Sequence, residues 1–99
     1  MEIVMSEQSL VVANKEQASC DLGGEAVILS FKDGFYYGLD TLGGFVWKLI
    51  QEPRTISELR DFIINEFDVE QERCEQDLKK LLQELLTKGL IEIKHETAA

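Results

Sequence analysis

The sequence predicts an α+β domain, winged-helix-like, in which a three-stranded antiparallel β-meander is followed by three helices. Two observations carry that prediction. From Ala18 to Leu39, β-forming runs alternate with Gly23-Gly24 and Asp33-Gly34, dipeptides that allow the left-handed backbone of tight hairpin turns. After Asp40 the apolar residues recur at i, i+3, i+4 and i+7, the spacing of one helix face. A chain of 99 residues holds one such unit and leaves no room for a second.

Residues 1–9 are polar and aperiodic and 94–99 trail off in the same way, so flexible ends are expected around a domain spanning 10–93. Leu10-Val11-Val12-Ala13 suits a short strand, followed by a loop over 14–17. The meander itself runs Ala18 to Leu22, Glu25 to Phe31 and Phe35 to Leu39, with Val27-Ile28-Leu29 and Phe35-Tyr36-Tyr37 as strong strand formers. Asp40 or Thr41 caps a first helix carrying Leu42, Phe45, Val46, Leu49 and Ile50; Gly44 is a poor helix former within it, and Pro53 ends it. Thr55 and Glu58 stand at capping-box spacing before a second helix striped by Ile56, Leu59, Phe62, Ile63 and Phe67. The third helix has the clearest pattern: Cys74, Leu78, Leu81, Leu82, Leu85 and Leu86, closing at Lys88-Gly89 with a cation in the last turn and glycine at C′. Leu90 to Ile93 suits a brief terminal strand.

Ten basic against 19 acidic side chains give a net charge of −9, a field that repels nucleic acid and anionic membranes and suits a basic or apolar partner. The N-terminal residues lack the basic region and apolar run of a signal peptide, and no stretch is long enough to span a bilayer, so a cytoplasmic protein is expected. Cys20 and Cys74 have neither metal-ligand nor disulfide spacing and are read as packing residues; no metal or cofactor is expected. His95, the one histidine, stands in the tail without a partner, and the glycines make no phosphate loop, so no catalytic constellation is present and the protein is not expected to be an enzyme. The carboxylates Glu70, Glu72, Glu75 and Asp77 fit a solvated helix start, or an acidic rim for a basic ligand.

Phe35-Tyr36-Tyr37-Gly38-Leu39 is the unusual segment. The last strand of a meander is an edge, and edges are normally blunted by lysine, proline or inward charge; this one carries tyrosines and a glycine. Such an edge suits addition of an extended peptide, unless the N-terminal segment or a second copy hides it. Val27, Leu29 and Phe31 on one parity, and Ala26 and Ile28 on the other, make both sheet faces apolar, so the face without helices is expected to be roofed by Leu10 to Ala13 or by a dimer partner.

The run from Ala18 to Leu29, then Gly34-Phe35-Tyr36-Tyr37-Gly38-Leu39-Asp40, Gly43 to Trp47 with Leu49, and Glu52-Pro53-Arg54-Thr55-Ile56, resembles the PqqD-like family of recognition elements for ribosomally made, modified peptides. The likeness extends from about Val11 to Ile93 and is closest to the stand-alone elements of lasso-peptide biosynthesis. It implies a non-catalytic adaptor that binds the leader of a precursor peptide, as an added antiparallel strand, and delivers it to a leader peptidase and cyclase. It implies as site residues Phe35, Tyr36, Tyr37, Gly38 and Leu39 for the ladder, with Tyr36, Tyr37, Cys74, Leu78 and Leu81 lining a side-chain pocket and Asp77 on its rim. Trp47 matches a family position but is read as structural. A monomer or weak homodimer is expected. Tyr37→Ala and Leu78→Asp are expected to weaken leader binding while leaving the secondary structure largely intact. The alternatives are a peptide chaperone for a radical-SAM maturase and, in a different class, an acidic winged-helix transcription or protein-interaction module.

Overall fold

The computed structural model describes residues 8–15, 17–21, 25–31 and 33–94. In chain order the elements are β1 (Leu10–Ala13), β2 (Gln17–Asp21), β3 (Ala26–Ser30), β4 (Tyr36–Leu39), α1 (Thr41–Leu49), β5 (Arg54–Thr55), α2 (Ile56–Phe67), α3 (Gln71–Thr87) and β6 (Ile91–Lys94). The antiparallel meander and the three helices after it stand where the apolar periodicity puts them. The meander is β2-β3-β4, with Ile28 opposite both Ser19 and Tyr37.

A second sheet has no counterpart in the sequence reading. Its order is β5-β1-β6, all antiparallel, with Leu10 opposite Thr55 on one side and Lys94 on the other. Its three strands come from the start, middle and end of the described chain, so no hairpin turn announces the pairing. Further main-chain bonds tie it in place: Ala13 N–H donates to Ile50 at 2.7 Å, Asn14 N–H to Leu90 at 2.8 Å and Ile56 N–H to the fully buried Ser9 at 3.1 Å. Leu10 to Ala13 is therefore a central strand of its own sheet and does not roof the meander.

Side chains alternate as the pleat requires. In β3, Ala26, Ile28 and Ser30 are buried while Val27 and Leu29 are half-buried on the other face. The buried face meets α1, whose Val46 and Trp47 join Leu59 and Ile63 of α2 and Leu78, Leu82 and Leu85 of α3 in one core. Phe45 and Phe67 pack edge to face with centroids 5.2 Å apart, which fixes α1 against the end of α2.

Local chemistry explains the helix ends. The Asp40 carboxylate accepts from Gly43 N–H at 2.8 Å and starts α1. Gly43 is held close to Leu39: a Cβ there would stand 3.1 Å from the leucine's own Cβ. The helix reaches its C-cap at Ile50, three residues before Pro53, and β5 follows the proline directly. Thr55 and Glu58 form the reciprocal capping box of α2, which ends with Asp68 in the left-handed region at φ 50°. Phe62, assigned to the apolar stripe of α2, is 40% exposed instead, beneath the Arg54 guanidinium at 5.6 Å. Gly89 at φ 72° lets the chain leave α3 and bring Leu90 into the core.

Candidate functional site

The strand β4 has β3 on one side, and among the described residues no strand lies on the other. Ser30 N–H donates to the Phe35 carbonyl at 3.0 Å, which sets the alternation along the ladder. Opposed residues in an antiparallel pair alternate between exchanging hydrogen bonds and not. The pairs Ser30/Phe35, Ile28/Tyr37 and Ala26/Leu39 are thus the bonded ones, and the N–H and C=O of Tyr36 and Gly38 point to the open side.

Side-chain parity runs with the same period. Tyr37 and Leu39 are half-buried and pack on the core from the helix side, whereas Tyr36 is 71% exposed and Gly38 lies on the outer face beside it. The turn before β4 is rigidly tied. Gly34 takes φ 74°, Phe35 N–H donates to Asp33 Oδ1 at 3.0 Å, and the Tyr37 hydroxyl donates to Asp33 Oδ2 at 3.0 Å. The Phe35 amide, and after it the Tyr37 hydroxyl, hold the Asp33 carboxyl below its ordinary value. Desolvation, and then the Asp33 carboxylate, push the Tyr37 hydroxyl above its own. On the other side of that ring stands the Lys88 ammonium, 5.1 Å from the centroid.

The residues expected from α3 divide into two pairs. Cys74 and Leu78 are core residues, 3% and 1% exposed, and offer a ligand no surface. The Cys74 thiol turns toward α2 and donates to the Arg60 carbonyl at 3.8 Å, and burial raises its pKa. Their place in a side-chain pocket is corrected accordingly: an apolar stripe on a helix belongs first to the core it packs on. Leu81 is half-buried, and Asp77 is exposed with Arg73 Nε 3.8 Å from its carboxylate. Two residues beside β4 escaped the sequence reading in this role. The sequence presents Lys88 only as a helix-terminal cation and Asp33 only as a turn residue, and nothing in the linear order places either against Tyr37.

Cys20, expected as a packing residue, is corrected too, being exposed on β2. Trp47 is 3% exposed and central to the core, and its indole N–H has no hydrogen-bond partner among the described residues. It borders a cleft of about 330 Å³ at the β2 end of the sheet, together with Ser19, Cys20, Phe45 and Phe67. The outer face of the meander stays open: Val27 and Leu29 are half-buried there, and Phe31 and Phe35 at the hairpin end are 63% and 64% exposed. Among the described residues no group of acidic, cysteine or histidine side chains is placed to hold a metal ion, and no helix is long and apolar enough to cross a membrane. His95 and the Gly23-Gly24 turn lie outside the described residues.

Comparison with solved structures places the chain near two complexes. One is described as "TbiB1 in Complex with the TbiA(beta) Leader Peptide"; it is 32% identical, with a TM-score of 0.77 over 82% of this chain and 94% of that one. The other, "Lasso peptide synthetase B1 complexed with the leader peptide", shares 18% identity and the fold, with a TM-score of 0.73 over 83% of this chain and 96% of that one. No curated protein matches. The family model for coenzyme PQQ synthesis protein D matches residues 25–91, from the strand that pairs with β4 to the start of the last strand. Two-thirds of the chain fits that model and a relative of nearly equal length is 32% identical: the chain belongs to the PqqD family.

Proposed function

We propose that the protein is a non-catalytic adaptor that captures the leader of a ribosomally made precursor peptide and presents it, in the cytoplasm, to a leader peptidase and cyclase of lasso-peptide type. The observation that carries this reading is the open edge of β4, where the main-chain groups of Tyr36 and Gly38 face outward beside exposed aromatic side chains. Membership of a family with a leader-bound relative at 32% identity supports the same reading. An added antiparallel strand bonds through Tyr36 and Gly38. Tyr37 and Leu39 of the same segment spend their main-chain groups on β3, and Phe35 spends its carbonyl on Ser30 and its amide on Asp33, so all three contribute side chains only. On α3 the surface left for the leader comes from Leu81 and Asp77, with Leu78 and Cys74 supporting it from the core.

Four ladder bonds contribute about 0.5 to 1.5 kcal/mol each, and buried apolar anchors about 1.5 to 3 each, before the ordering of the peptide is subtracted. The net is a dissociation constant between about micromolar and tens of nanomolar. The adaptor then acts by raising the precursor's effective concentration at the enzyme. The test is an amide NMR titration with the leader of the precursor encoded nearest the gene. Shifts concentrated on Tyr36, Gly38 and the exposed side of α3 are expected. Saturation of binding with those amides unmoved would dismiss the edge as the site.

A further inference from the structure

The contact between α3 and β4 at Tyr37 has a chemical sign. Lys88 forms no ion pair among the described residues, although the protein carries an excess of acidic groups; its ammonium lies instead over the Tyr37 ring at 5.1 Å. Tyr37 points to the helix side of the edge strand, and its hydroxyl is committed to Asp33 at 3.0 Å. The ring is thereby pinned at one end, with an unpaired cation on its face. Along the chain the nearest acidic groups are Asp33 and Asp40, on either side of Tyr37, and Glu84 and Glu92, on either side of Lys88. Asp33 already accepts two hydrogen bonds.

We propose that Lys88 is a specificity-determining residue of the edge: it selects a carboxylate side chain at the one leader position that falls directly opposite Tyr37. The inference rests on the adaptor reading above. Because Tyr37 directs its main-chain groups at β3, a residue added opposite it on the open side forms a non-hydrogen-bonded pair. Such pairs bring the Cα atoms to about 4.5 Å and put both side chains on the same face, closer than in the bonded pairs. That leader side chain therefore rises beside the Tyr37 ring and meets the Lys88 ammonium. A Glu or Asp gains a charge-assisted partner there, and a Lys or Arg is repelled, at a single position on a protein whose overall field favours basic ligands.

The experiment uses the whole chain and the leader of the precursor encoded nearest its gene. An Hα–Hα nuclear Overhauser effect to Tyr37 identifies the opposed leader residue, since those hydrogens meet in a non-hydrogen-bonded pair. Peptides carrying Glu, Gln or Lys at that position are then titrated calorimetrically against the wild type, Lys88→Gln and Lys88→Glu. The wild type is expected to prefer Glu to Gln by about two- to fivefold at low salt, the range of an exposed ion pair. Lys88→Gln is expected to lose that preference and Lys88→Glu to invert it, with all ratios shrinking toward one at about 0.5 M salt. The coupling between residue 88 and the peptide position cancels the overall field, so a general attraction of basic peptides cannot imitate it. Binding of all three peptides with the Tyr37 contact present but no coupling would overturn the role of Lys88 and leave the adaptor reading standing. A leader that binds without contacting Tyr37, or does not bind, would overturn both.

Discussion

Replacing Gly38 with proline separates the ligand-facing main chain from the fold. The Gly38 N–H points to the open side and takes no part in the β3 ladder, and a Cβ built at this position meets nothing within 4 Å. Proline there deletes one outward donor and sets a ring in the path of the incoming carbonyl. One net hydrogen bond of about 0.5 to 1.5 kcal/mol, with the steric hindrance added, amounts to roughly 1 to 2 kcal/mol, or about five- to thirtyfold weaker leader binding. Stability is nearly untouched, because the stiffer residue also reduces the freedom of the unfolded chain. Tyr37→Pro is the counterpart: it removes a donor that the β3–β4 ladder uses and is expected to lower Tm by several degrees. Calorimetric titration with the leader and thermal melts of both variants decide the matter. Wild-type affinity in Gly38→Pro would refute strand addition at this edge, and equal melting of the two variants would refute the assigned alternation.

Leu78→Asp, expected from the sequence to weaken binding while leaving secondary structure largely intact, is now expected to unfold the domain. Leu78 is 1% exposed, and even Leu78→Ala should lose about 2 to 5 kcal/mol in chemical denaturation; retention of a wild-type midpoint would contradict its core position. The hairpin end should be sensitive to acid. The folded-state pKa of Asp33 is lowered first by the Phe35 amide, so its contribution is present above the ordinary value of 3.8 and is lost as pH falls through the lower folded value. Amide exchange at Phe35 should accelerate over that range, and an Asp33→Asn variant should remove the pH dependence. Under native conditions a maleimide should add once, at exposed Cys20, and add at Cys74 only in denaturant; fast double labelling would show that the α2–α3 interface opens readily.

Local patterns determined most of the architecture. The Asp33-Gly34 turn, the Asp40 cap, the Thr55/Glu58 box and the leucine stripe of α3 act within four or so residues, the range over which turns and helices are encoded. The same patterns marked β4 as an edge with an unusual composition, and the sequence resemblance supplied the expectation of a peptide strand added there. The three-dimensional structure decided what depends on residues far apart in the chain. Arg54 and Thr55 form a strand only because Leu10 and Val11 lie beside them, and Lys94 pairs with Leu10 across the whole length of the domain. Cys74 and Leu78 belong to the core because α2 covers that side of α3, whereas periodicity identifies an apolar face without identifying its occupant. Which main-chain groups of β4 are free, and which cation stands over Tyr37, follow from strand register and from where α3 ends in space. Those are consequences of packing between elements, and no spacing along the chain encodes them.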